Sequence, residues 1–131
     1  MPQRAVGVII KENKILLMRR MKNGQEYYVF PGGGVKKGES TETAIIREIK
    51  EELSINSKID KLLFEIENQG RQECYYLIKE FSGQPRLGGE GKERMNEDNQ
   101  YYPVWIEFNE LKSLDNLYPE LARKKIVEIL R

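Results

Sequence analysis

The sequence predicts an α/β (α+β) fold in which a mixed β-sheet packs between helices. Three observations carry this. Strand-like runs come first, one strongly patterned helix follows, and more strands precede a second helix; that order suits a sheet covered by helices. The chain has 131 residues, enough for one domain with its own core and short for two, so residues 1–131 read as a single domain. Apolar residues make up 39% and fall in short runs between charged ones, a globular pattern that no repeat or linker interrupts.

Residues 4–10 and 15–20 read as two strands, with Glu12, Asn13 and Lys14 as the tight turn of a hairpin. Residues 27–30 form a short third strand that stops at Pro31, and Gly32, Gly33 and Gly34 follow as a loop with wide backbone freedom. Residues 40–53 carry helical spacing, with Ala44, Ile45, Ile49 and Leu53 on one face. Ser40 or Thr41 can cap its start, without the Glu or Gln that completes a capping box. Residues 61–67 and 73–81 are the next strands, joined by a polar link through Gly70. Residues 82–100 read as a long charged loop, a length that is uncommon unless the loop is functional. A strand over 101–106 contains Pro103, which suggests an edge or bulge. A short helical turn follows over 109–114, and Pro119 suits the first turn of a helix running to Leu130.

Composition excludes whole classes of chemistry. The 22 basic and 21 acidic residues leave a net charge of +1, which disfavours nucleic acid and anionic membrane as global partners. Without histidine, a Ser-His-Asp triad and a His-ligated zinc are ruled out, and the single Cys74 rules out a disulfide framework. A metal must be held mainly by oxygen, which points to magnesium, manganese or calcium. No run approaches the ~20 apolar residues of a membrane span, and no signal-peptide pattern opens the chain; the expected location is cytoplasmic.

The informative segment is residues 33–55. At 100° per residue, with Ile45 at 0°, Ile49, Leu53 and Ile46 fall within roughly 100° as a core stripe. Glu51, Glu48 and Glu52 fall at roughly 240°, 300° and 340°, sharing one sector beside it. Three like charges within one turn repel, and near a helix C-terminus the dipole adds to the cost. Acidic runs usually just face water, but here a glycine loop opens directly into the same helix. A divalent cation relieves both costs, and clustered carboxylates are the donors magnesium accepts. Arg47, just outside the sector, is placed to bridge to Glu48, a loop carbonyl or Glu39.

This segment resembles the Nudix box, G-x5-E-x7-R-E-U-x-E-E-x-G-U, with U a bulky aliphatic residue. The matches are Gly33, Glu39, Arg47, Glu48, Ile49, Glu51, Glu52 and Ile55. Ser54 stands where the pattern has glycine; the glycine's physical role is a left-handed turn after the helix, so serine adds strain and removes no charge. The resemblance implies an α/β/α sandwich over nearly the whole chain. It implies metal-dependent hydrolysis, with Mg2+ or Mn2+, of a pyrophosphate bond in a nucleoside diphosphate linked to another group X, by water attack on phosphorus.

By carry-over, Glu51 and Glu52 are metal ligands, and Glu48 is a further ligand or the base. Arg47 orients the glutamates, Glu39 holds the loop to the helix, and Gly32, Gly33 and Gly34 let the loop backbone approach the substrate. An extra base, ligand or phosphate contact is sought among Arg86, Glu90, Lys92, Glu93, Arg94, Glu97 and Asp98, and among Lys36 and Lys37. Among Tyr27, Tyr28, Phe30, Tyr75, Tyr76, Tyr101, Tyr102 and Trp105, one or two rings are candidates to stack on a base, the rest and Cys74 being core. Residues 56–84 lack the proline associated with ADP-ribose hydrolysis, and the tyrosine associated with dinucleoside polyphosphate hydrolysis is missing, which leans toward MutT-like clean-up of nucleotides. The alternatives are a Nudix-like domain that senses a nucleotide without cleaving it, disfavoured by the intact glutamates, and an RNA 5′ pyrophosphohydrolase. Homodimers are common in the family.

Overall fold

The computed structural model describes residues 1–87, 95–96 and 99–130. Strands β1 (Gln3–Lys11) and β2 (Lys14–Lys22) form the expected hairpin. Its two turn residues, Glu12 and Asn13, both have positive φ, the twist that matches two-residue hairpins. A second turn through Asn23 and Gly24, also at positive φ, leads to β3 (Gln25–Val29). β4 (Gly32–Gly34) precedes helix α1 (Thr41–Leu53). β5 (Asn56–Asn68) and β6 (Arg71–Ser82) are joined at Gln69 and Gly70. β7 (Asn99–Glu107), a 3-10 helix (Phe108–Ser113), β8 (Leu117–Tyr118) and helix α2 (Glu120–Leu130) complete the order.

The sheet is mixed. β1 runs parallel to β6 and β3 parallel to β8, while the other pairs are antiparallel. β1 and β2 pair only beside their turn, at Ile10–Ile15 and Lys11–Lys14. Beyond it they part, β1 to lie between β6 and β4, β2 to lie between β3 and β7. The sheet therefore splits into two halves hinged at one hairpin.

Both faces of the sheet are buried, so alternate residues of one strand serve two cores. Ala5, Ile9, Leu16, Met18, Cys74, Tyr76 and Ile78 meet Ala44, Ile45, Ile49 and Leu53 of α1. Val6, Val8, Ile15, Leu17, Tyr75 and Leu77 meet Leu111, Leu117, Ala122 and Ile126. Among the described residues no helix is long and apolar enough to cross a membrane.

Several boundaries differ from those read in the sequence. Gly32–Gly34 is not a free loop but a strand paired with Arg4–Val6. β5 and β6 extend beyond 61–67 and 73–81 because long-range pairing continues through residues of poor strand propensity, such as Asn56 and Ser57. β7 begins at Asn99, inside the stretch read as loop. The buried face of α1 is Ala44, Ile45, Ile49 and Leu53, as the spacing predicts, while Ile46, expected in the core stripe, is only half-buried. Pro119 precedes α2 rather than lying in its first turn; its carbonyl accepts from the Arg123 N–H at 3.1 Å.

The ends of α1 follow local chemistry. Ser40 caps the start, its Oγ accepting the Thr43 N–H at 3.0 Å. At the other end Ser54 is left-handed, φ 61° and ψ 29°, and its N–H donates to Lys50 O. The left-handed turn expected at this position is made without glycine. Ser54→Gly is expected to stabilise the fold by about 0.5–1 kcal/mol, the relief of the left-handed strain less glycine's extra chain entropy. The check is a higher urea midpoint at unchanged slope; an unchanged or lower midpoint would show that Ser54 makes an offsetting contact.

Candidate functional site

Helix α1 presents Glu48, Glu51 and Glu52 beside its buried stripe, and the strand β4 passes in front of them. The two are brought together by Arg47. Its Nε donates to Glu39 Oε2 at 2.7 Å and its Nη2 to Glu39 Oε1 at 2.8 Å, a bidentate pair. Nη1 donates to Glu48 Oε1 at 2.8 Å and to Glu51 Oε2 at 3.1 Å. Nη2 also donates to the Gly34 carbonyl at 3.1 Å. All three bridges expected of Arg47 are made, and Glu51 is added. Glu39 in turn accepts the Lys36 N–H at 3.0 Å, which closes the loop between β4 and α1.

These contacts favour the ionised forms. The Arg47 guanidinium and the Lys36 N–H lower the Glu39 carboxyl from 4.5 to about 2. The Glu39 carboxylate holds Arg47 well above its ordinary value, with Glu48 adding to the effect.

The glycines have different reasons to be there. A Cβ built on Gly33 would overlap the Glu48 carboxylate, so Gly33 gives that side chain its place against the backbone. A Cβ on Gly32 would overlap the Ala5 carbonyl oxygen, because β4 lies tight against β1. Gly34 is exposed and offers its carbonyl to Arg47.

A cleft of about 520 Å³ opens over this cluster, lined by Gly32, Gly33, Gly34, Arg47, Glu48, Glu51 and Glu52. All seven are residues the sequence pattern singles out. Glu39 holds Arg47 from behind and is not among the lining residues. The opposite wall is built by Arg4 from β1, Met18 and Arg20 from β2, and Asn99 and Tyr101 from β7; of these the sequence singles out only Tyr101, as a candidate ring. Arg20 donates to Asn99 Oδ1 at 3.2 Å and lies over the rings of Tyr27 and Tyr101, at 5.8 and 5.5 Å from their centroids. Strand alternation sends Arg19 to the exposed Glu26 instead. The sequence contains that alternation, but where the hairpin splits depends on tertiary pairing.

The donor set is suited to a hard cation. Glu48, Glu51 and Glu52 offer only oxygen, the kind of ligand Mg2+ and Mn2+ take. Arg47 engages Oε1 of Glu48 and Oε2 of Glu51 and leaves the second oxygen of each off the guanidinium. Among the described residues no three Asp, Glu, His or Cys side chains already converge at ligating distance, so a cation here requires the glutamates to turn toward it.

The remaining candidates sort by position. Lys36 lines the cleft, whereas Lys37 is exposed and does not. Arg86 is exposed, and its N–H closes the end of α1 by donating to Leu53 O at 2.9 Å. Glu90, Lys92, Glu93, Arg94, Glu97 and Asp98 lie outside the described residues. Tyr101 reaches the cleft, while Trp105 stacks on Phe81 at 6.1 Å. Tyr75 and Tyr76 point to opposite faces, but both are buried because both faces are covered. Cys74 is inert by its setting: burial pushes its thiol up to about 11, and it donates to Glu65 Oε1 at 3.3 Å.

Comparison with known proteins agrees with this arrangement. The model of the NUDIX domain matches residues 1–126. An ADP-ribose pyrophosphatase of Methanocaldococcus jannaschii is 34% identical over 94 residues, 66% of this chain and 56% of that protein. An 8-oxo-dGTP diphosphatase of Escherichia coli is 36% identical over 100 residues, 69% of this chain and 74% of that one. The match thus spans little more than half of the archaeal relative. The crystal structure of a MutT NUDIX hydrolase from Burkholderia pseudomallei is similar at TM-score 0.72 and 25% identity, covering 99% of this chain and 98% of that one.

The depressed Glu39 carboxyl fixes the sign of a pH effect. A carboxylate favoured in the folded state contributes stability that is fully present above 4.5 and lost as pH falls through about 2. Wild type should therefore exceed Glu39→Gln in urea midpoint at neutral pH, with the gap closing between pH 4.5 and about 2. A gap independent of pH would assign the loss to packing rather than to the ion pair.

Proposed function

The chain belongs to the Nudix hydrolase family, and on that premise we propose that it hydrolyses a pyrophosphate bond in a nucleoside diphosphate derivative. The favoured substrates are nucleoside triphosphates, in MutT-like clean-up. One observation carries this reading: Arg47 gathers Glu39, Glu48 and Glu51 at the edge of a cleft walled on one side by glycine backbone. The name of the Escherichia coli relative, an 8-oxo-dGTP diphosphatase, supports the choice of substrate, as does the absence of proline from residues 56–84.

The reaction needs a pyrophosphate to enter a site rich in carboxylates. Glu51 and Glu52, with Glu48 as a further ligand or as base, would hold a divalent cation, and the chemistry it would supply is neutralisation of phosphate charge and activation of water. The chain's own residues do the rest. Arg4, Arg20 and Lys36 on the cleft walls offer positive charge to phosphate oxygens. Arg47 holds Glu48 and Glu51 close together before substrate arrives, which limits the turn they must make toward a cation. Glu48, held against Gly33, would serve as a further ligand or take the proton of the attacking water.

The experiment is phosphate or pyrophosphate release from nucleoside triphosphates, including 8-oxo forms, ADP-ribose and 5′-triphosphate RNA. Each is run with Mg2+, with Mn2+ and with chelator. Chelator-sensitive cleavage is expected, and Glu52→Gln should lower it by roughly 10²-fold or more with the melting temperature retained. Full turnover by that variant removes Glu52 from the cation site. Nucleotide binding without cleavage of any substrate would favour a sensing domain.

Gly33→Ala tests the backbone side of the same site. Displacing Glu48 by the width of a methyl group should cost roughly 10²-fold in kcat. Wild-type kcat in a folded Gly33→Ala protein would show that Glu48 has no positional role.

A further inference from the structure

A second cleft, of about 820 Å³, adjoins the first and shares Arg4, Arg20, Val29 and Phe30 with it. A substrate whose phosphates lay against the glutamates would thus have room to extend into this second space. Its lining includes Glu73 of β6, which is 2% exposed. Neither the hydrolysis chemistry nor the glutamate helix uses this carboxylate.

We infer that Glu73 is a specificity-determining residue that reads an N–H donor edge on the part of the substrate remote from the phosphates, favouring amino-bearing nucleobases over their carbonyl counterparts. The inference rests on the proposed hydrolysis of a nucleotide in the adjoining cleft. Three donors hold Glu73 in place. Tyr75 Oη donates to Oε1 at 2.8 Å, while Asn68 Nδ2 and Arg71 Nη2 reach Oε2 only at 3.3 and 3.4 Å. A carboxylate offers about four acceptor sites, and two of its three donors are at the long end of hydrogen bonding. Acceptor capacity thus remains on a fixed, nearly buried anion.

A ligand group meeting that anion has to be a donor, because a carbonyl oxygen there would be repelled and left unpaired. The lining also includes four aromatic rings. Tyr27 and Tyr118 meet edge to face at 6.3 Å, and Phe30 meets Tyr75 at 5.7 Å. Aromatic faces beside a buried acceptor suit a planar ring with N–H groups on its edge. An amino group on the ring supplies that edge, and a carbonyl at the same position takes it away.

The test uses pairs of nucleoside triphosphates in which one amino group is exchanged for a carbonyl, cytidine against uridine and adenosine against inosine. Wild type should favour the amino-bearing member by roughly tenfold or more in kcat/KM. Glu73→Gln, whose amide can donate to a carbonyl, should shrink or reverse that ratio. Tyr75→Phe, which keeps the carboxylate and removes one of its donors, should keep the preference. A purely structural Glu73 would lower the melting temperature in Glu73→Gln and leave the ratio where it was, and that result overturns the inference. If Glu73→Gln does not fold, a wild-type ratio near one overturns it equally. Calorimetry with the matching monophosphates separates the two readings. Discrimination in binding without any turnover rejects the hydrolysis and keeps the role of Glu73; turnover or binding without discrimination rejects the role of Glu73; no binding and no turnover rejects both.

Discussion

The guanidinium of Arg47 is the constraint on which the site depends. Three glutamates within one turn at the C-terminal half of a helix oppose each other and the helix dipole. One side chain engages two of them, ties Glu39 in a bidentate pair and reaches the Gly34 carbonyl. The loop from β4 to α1 is thereby fixed to the helix at both ends, by Glu39 and by Gly34. Lysine could not replace it, because a point charge on a flexible stem cannot span four acceptors in one plane.

That cluster would face solvent without the split in the sheet. β1 and β2 separate after two residue pairs, and Arg4 and Arg20 end on the walls of both clefts. β4 fills part of the gap by pairing with β1, close enough that Gly32 has no room for a side chain. The same packing that buries both faces of β1 and β6 thus leaves a gap on one side, and the helix glutamates look into it. Stability and access come from one topological choice.

Much of this was legible in the sequence, and for identifiable reasons. The carboxylate helix is a local, periodic element, so 100° geometry placed Glu48, Glu51 and Glu52 together and put Arg47 beside them. Ser40 and Ser54 were readable as helix ends because capping is local chemistry. The opposite wall was not readable. Arg20, Asn99 and Tyr101 converge through the register of β2 with β7, where Arg20 pairs with Tyr101 and Lys22 with Asn99, and register is set by pairing across some 80 residues. Gly32–Gly34 was read as a loop because glycine has low strand propensity, whereas close approach to β1 selects glycine at position 32 and the Glu48 carboxylate selects it at position 33. Glu73 sits in an alternating strand as an ordinary outward carboxylate, and only the covering of both sheet faces buries it.

The two clefts share Arg4, Arg20, Val29 and Phe30 and differ in the rest of their lining, and that difference separates reaction from selectivity. The glutamate cleft takes its carboxylates from one contiguous segment, residues 32–52, in which Arg47 interlocks Glu48 and Glu51. Substitution of any member disturbs the others, because neighbouring groups in one network do not act additively. The second cleft is assembled from β3, the β5–β6 turn and the start of α2. Glu73 has a network of its own there with Tyr75, Asn68 and Arg71, and none of these bonds passes through Arg47; Tyr118 is half exposed and meets only the Tyr27 ring edge among the aromatic contacts. A change at Gln69, Tyr118 or Glu120 therefore alters the shape offered to a substrate without passing through Arg47. A fold built this way can hold one hydrolytic chemistry constant while the group beside the phosphates varies.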